Sequence, residues 1–87
     1  NKEEMELMVM NDMEAMLVEC KWSNQPVGTN ILTVLERKAA SAKKDLGDRK
    51  IQFALCSRSG FTDQMMEVSK ERQDVCLVDL KRIIEEK

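Results

Sequence analysis

Apolar and polar residues alternate from near the start of the chain. Glu4-Met5-Glu6-Leu7 changes side residue by residue and Met8-Val9-Met10 then turns fully apolar, which predicts a partly buried strand over 4–10. Asn11-Asp12 is a turn signal, and Ala15 to Trp22 reads as a second strand close enough to form an antiparallel hairpin. A symmetric loop with Asn11 facing Glu14 sets Met10 opposite Ala15, Met8 opposite Leu17, Glu6 opposite Glu19 and Glu4 opposite Lys21. Directly opposed residues share a face of the sheet. This register therefore gathers Glu6, Glu19 and Lys21 on one side and leaves Met5, Leu7, Val9, Met16, Val18, Cys20 and Trp22 on the other. A slip of one residue would exchange the two sets.

Residues 23–29 form a loop containing Pro26 and Gly28, with Thr29 or Asn30 as the expected N-cap of a helix. Ile31, Leu35, Ala39, Ala42 and Leu46 recur at helical spacing, predicting an amphipathic helix of about four turns that Gly47 ends. Lys50 to Cys56 is a third strand, apolar enough for an interior strand covered on both faces. Thr62 is placed to cap a short helix from Asp63 to about Lys70, with Met66 and Val68 turned inward. Val75 to Asp79 is a last strand, and Leu80 to Glu86 reads as a closing helical turn or two. Helices on the crossover connections predict an α/β fold with a mixed sheet flanked by helices.

Composition narrows the function classes. Eighty-seven residues predict one small domain over 1–87, and the charged opening Asn1-Lys2-Glu3-Glu4, running straight into a strand, predicts a fragment truncated at its N-terminus. A net charge of −2 lacks the basic excess of a domain that lives on phosphate contacts. Arg37, Lys38, Lys43 and Lys44, diluted by Glu36 and Asp45, read as a solvated helix face. The absence of His removes Ser-His and Cys-His nucleophilic chemistry and most catalytic zinc sites. Cys20, Cys56 and Cys76 each sit in an apolar stretch and are expected to be reduced and buried in a cytoplasmic protein. No apolar run approaches the ~20 residues of a membrane span. Methionines at 5, 8, 10, 13 and 16 crowd the hairpin, either as core filler or as apolar surface for a partner. Trp22 is expected as a core anchor on the face opposite the acids, with base stacking as the alternative.

Candidate chemistry starts at Glu19-Cys20-Lys21-Trp22. On a strand, Glu19 and Lys21 project from the same side about 7 Å apart. Charge placed where a sheet buries aliphatics points to a chemical site, because unpaired charge is expensive to bury; the alternative is an edge strand with a solvated polar face. Glu6 opposite Glu19 repels it unless a cation intervenes, and either Lys21 or a metal ion can serve. Arg58, between Ser57 and Ser59 where a strand gives way to a helix, is placed for a phosphate contact or for a solvated polar turn that uses the freedom of Gly60.

An acid on one strand, Glu-x-Lys on the next, and then a helix and a further strand resemble the restriction-endonuclease-like, or PD-(D/E)XK, nuclease superfamily. Within it, four blocks are similar in order to the domain that follows prokaryotic AAA-type ATPase modules: Glu3 to Val9, Leu17 to Trp22, Pro26-Val27-Gly28, and Cys56 to Thr62. The resemblance implies Glu6 and Glu19 as ligands of Mg²⁺ or Mn²⁺, and Lys21 as the residue that activates water or stabilises charge on the phosphate. It also implies metal-dependent cleavage of DNA or RNA, with ATP engaged only through an N-terminal ATPase module that lies outside this chain. A degenerate domain that regulates or targets the ATPase is the alternative. Glu6 stands where the family pattern has Asp, which moves the carboxylate by about 1 Å, a displacement that catalytic geometry tolerates poorly. A homodimer is expected where a second copy covers the open edge of the first strand.

Overall fold

The computed structural model describes residues 4–80. Strands β1 (Glu4–Met10) and β2 (Glu14–Lys21) are followed by α1 (Thr29–Ser41), α2 (Lys43–Leu46), β3 (Lys50–Ser57), α3 (Asp63–Glu71) and β4 (Val75–Asp79). They form a four-stranded sheet in the order β1-β2-β3-β4. β1 runs antiparallel to β2, whereas β2, β3 and β4 are parallel, so the sheet is mixed and the fold α/β as expected. The helix expected over Leu80 to Glu86 lies, from position 81 onward, outside the described residues.

Asn11 closes the hairpin. Its Oδ1 accepts the N–H groups of Met13 and Glu14, both at 2.8 Å, and its own N–H donates to the Glu14 carbonyl at 3.0 Å. Such side-chain capture of nearby amides is why Asn favours turns. The resulting register is the one the sequence predicts, with Glu4 opposite Lys21, Glu6 opposite Glu19, Met8 opposite Leu17 and Met10 opposite Ala15.

Both crossovers step the same way across the sheet, from β2 to β3 and from β3 to β4. Parallel crossovers are right-handed almost without exception, so two steps in one direction put both helices on one face. The core follows from this. Leu17, Phe53, Leu55 and Val75 of the sheet pack against Leu32 and Leu35 of α1 and Met65 of α3.

Among the described residues the opposite face carries no helix, which corrects the expectation that β3 is covered on both sides. Met5, Leu7 and Val9 there are 54%, 55% and 55% exposed. The cysteines share that face, so Cys20 and Cys56 are half-buried and Cys76 is exposed, rather than all three being buried. Trp22 at the end of β2 is exposed rather than a core anchor.

Helix boundaries shift by a residue or two. α1 is capped by Gly28 in extended backbone rather than by Thr29 or Asn30, and a Cβ at Gly28 would stand 3.3 Å from Asn30 Oδ1. Its N–H donating to both Lys38 O (3.1 Å) and Ala39 O (3.2 Å), Ala42 separates α1 from α2, so the expected single helix is broken there. In α3, Thr62 Oγ1 accepts the Met65 N–H at 3.1 Å, as its capping role requires. Met65, three residues before Val68, turns inward, and Met66 is exposed instead. Arg72 binds Asp74 through Nε (2.9 Å) and Nη2 (2.8 Å) and Glu36 through Nη1 (3.0 Å), tying α1 to the turn before β4.

Candidate functional site

The hairpin register and the one-sided placement of α1 together set the candidate site. Glu6 and Glu19 are direct partners across β1 and β2, and Lys21 is the partner of Glu4 one step along the same face. That is the helix-covered face, so Glu19 lies at the edge of the core with a residue exposure of 2%. Glu19 Oε2 has no hydrogen-bond partner among the described residues, and Lys21 Nζ stands 3.9 Å from it.

Two lysines hold the neighbouring acids. Lys21 pairs with Glu4 through Oε2, and Lys38 reaches from α1 to Glu6 Oε1. The hydrogen bond from Lys38 holds the Glu6 carboxyl below its ordinary range, and Glu6 in turn raises the Lys38 ammonium. Glu4 is lowered in the same way by Lys21. Glu19 moves in the opposite direction. Burial comes first and the charge of Glu6 second, together pushing its carboxyl up against the opposing pull of Lys21 and Lys38. Two opposed carboxyls are thus driven apart in proton affinity, the arrangement by which neighbouring acids take different roles.

Glu6, Glu19 and Lys21 are therefore brought together as the sequence predicts. The sequence pattern places Lys38 on a solvated helix face, yet its side chain closes on Glu6. Its spacing carried the signal: Lys38 lies three residues after Leu35, on the flank of the stripe that packs on β2. Register sets Glu4 opposite Lys21, and the Glu4 carboxylate takes the ammonium that the sequence offers to Glu6 and Glu19.

Arg58, Ser57 and Ser59 lie beside the end of β2, with Ser57 the β3 partner of Lys21. Ser57 is buried, and its Oγ accepts the Ser59 N–H at 3.2 Å. Ser59 Oγ donates to the Ser23 carbonyl at 2.6 Å, and the Arg58 N–H donates to Lys21 O at 3.1 Å. The two serines thus fix the loop, while the Arg58 side chain is exposed and donates to Trp22 O at 3.5 Å. Gly60 turns this loop with φ +81°, backbone that other residues adopt only with strain.

A cavity of about 240 Å³ opens beside Lys21, lined by Glu4, Ser23, Gln25 and Asn30 among others, at the N-terminal end of α1. Among the described residues no group of three His, Cys, Asp or Glu side chains is assembled to hold a metal ion. Among the described residues no helix is long and apolar enough to cross a membrane. No protein-family model, curated protein or solved structure matches this chain.

Proposed function

We propose that this chain is a restriction-endonuclease-like domain of the PD-(D/E)XK type, attached to a AAA-type ATPase in the cytoplasm, and that Glu6, Glu19 and Lys21 carry metal-dependent phosphodiester hydrolysis in DNA or RNA. The observation that supports it is Glu19 Oε2, a buried carboxylate oxygen with no hydrogen-bond partner among the described residues, opposite Glu6 and 3.9 Å from Lys21. Such an atom is costly to enclose, and a hard divalent cation offsets the cost.

The donor set fits Mg²⁺ or Mn²⁺. These ions take oxygen ligands and commonly use only one or two protein carboxylates, keeping water in their other positions. Glu6 and Glu19 would hold the ion, which supplies a bound water of lowered pKa and neutralises charge on the phosphate. In this reading Lys21 leaves Glu4 to face the developing charge, Lys38 yields Glu6, and Arg58 contacts the nucleic-acid backbone. The N-terminal end of α1 beside the cavity favours an anion there.

A second reading is a catalytically silent domain that docks on its ATPase. It is favoured by the uncovered apolar sheet face, with Met5, Leu7 and Val9 more than half exposed, and by both lysines being held on Glu4 and Glu6. Calorimetric titration of Mn²⁺ into the full polypeptide, alongside cleavage assays on duplex DNA, single-stranded DNA and RNA, separates the two. Binding lost in Glu19→Gln and cleavage lost in Lys21→Ala support the nuclease reading. Absence of Mn²⁺ binding, or cleavage indifferent to Lys21→Ala, leaves the docking role.

A further inference from the structure

Cys20 and Cys56 are direct partners on the adjacent parallel strands β2 and β3, and both point to the uncovered face of the sheet. Both are free thiols and half-buried. Neighbouring strands lie about 4.8 Å apart, inside the ~4.4–6.8 Å between Cα atoms that a disulfide spans. Cys76 is placed differently. Its β3 partner is Ala54, so it is one strand over from Cys56 and offset by two residues, about 8 Å away and beyond that span.

We propose that Cys20 and Cys56 are a dithiol that closes reversibly to a disulfide, with glutathione disulfide as the oxidant. One of the two thiols loses its proton and attacks one sulfur of glutathione disulfide, forming a mixed disulfide and expelling a glutathione thiolate. The other thiol then loses its proton and attacks the protein sulfur of the mixed disulfide, expelling the second glutathione. Two protein thiols are oxidised to one disulfide, and one glutathione disulfide is reduced to two glutathione thiols that take up the two protons.

Burial first, and the neighbouring Cys20 second, push the Cys56 thiol up to about 11. Because the two cysteines are direct register partners, the second is placed to resolve a mixed disulfide formed on the first. Cβ atoms across parallel strands follow the ~4.8 Å strand spacing, wider than the mean of ~3.8 Å in a disulfide, so closure draws β2 and β3 together. Strained disulfides of this kind are readily reduced and belong to the regulatory class. Because Cys20 lies between Glu19 and Lys21, closure moves the backbone that carries both; that consequence alone rests on the proposed nuclease reading.

The full chain is incubated in glutathione buffers of varied thiol-to-disulfide ratio, alkylated, and mapped by mass spectrometry. A single species lacking two hydrogens, linked between Cys20 and Cys56, is expected in the wild type and in Cys76→Ser, reverting in excess reduced glutathione. Cys56→Ser is expected to stop at a glutathione adduct on Cys20. An adduct on Cys20 that persists in the wild type, a bond to Cys76, a bond only between two chains, or no oxidised species at any ratio would each overturn the proposal. None of these outcomes depends on metal binding or cleavage, and the wild-type map stands even where a variant folds poorly.

Discussion

Glu6 and Glu19 face each other directly across the β1–β2 hairpin, yet Glu19 is enclosed beneath α1 while Glu6 is half-exposed and held by Lys38. The pair therefore favours a state in which Glu6 is ionised and Glu19 retains its proton more readily than an ordinary carboxyl. In the proposed metal site the cation engages both carboxylates, so its binding displaces that proton. Mn²⁺ affinity is expected to rise with pH as Glu19 ionises, and to level off above its raised pKa. Titrations in buffers of different ionisation enthalpy measure the proton released per ion; no release near the acid end would contradict the shared site.

The same burial makes Glu19 a liability to the fold. An acid whose pKa is higher folded than unfolded costs nothing below its ordinary value of 4.5, where both states are protonated. The cost grows as pH rises and is complete above the folded pKa. Glu19→Gln removes the ionisation, so it is expected to be more stable than the wild type at neutral pH, with the gain vanishing in acid below 4.5. Urea unfolding of both proteins across that range measures it. A gain that persists unchanged in acid would show that ionisation is not its source.

In the proposed metal site, Lys38 competes with the ion for Glu6. Their pair is about half exposed, 43% for the Lys38 side chain and 49% for Glu6, so solvent screening limits its value to under about 1 kcal/mol. Lys38→Met is expected to lower stability by no more than that while tightening Mn²⁺ binding by about two- to fivefold, since Glu6 is released. Calorimetry on the variant tests it, and weaker binding would instead assign Lys38 a supporting role.

The hairpin was legible because its information is local. Asn11 sets the loop, the loop sets the register, and the register alone brings Glu6 opposite Glu19. Lys38 was not legible in the same way, because its contact spans 32 positions and depends on how α1 lies over β2. The uncovered face was hidden for a related reason. Ala54, Cys56 and Val78 are as apolar as residues under a helix, and only the direction of the two crossovers decides which side the helices take. The sequence pattern turns Met66 inward, whereas the cap at Thr62 fixes the phase of the helix and puts Met65 there instead.

Arg72 offers a test of that long-range packing independent of the candidate site. Its paired bonds to Asp74 and its bond to Glu36 join the turn before β4 to α1, and the guanidinium holds the Asp74 carboxyl below its ordinary value of 3.8. A depressed acid stabilises the fold above its unfolded pKa and loses that contribution as pH falls through its folded pKa. The side chains involved are about a third exposed, at 32% for Arg72 and 35% for Asp74, so the expected loss in Arg72→Ala is screened to about 1 kcal/mol at neutral pH. The deficit should shrink once Asp74 protonates in strong acid, because the wild type then loses the same ion pair. Chemical denaturation at neutral pH and in that acid range measures both values. An equal deficit at both would mean that Arg72 acts through the packing of its aliphatic stem rather than through its charge.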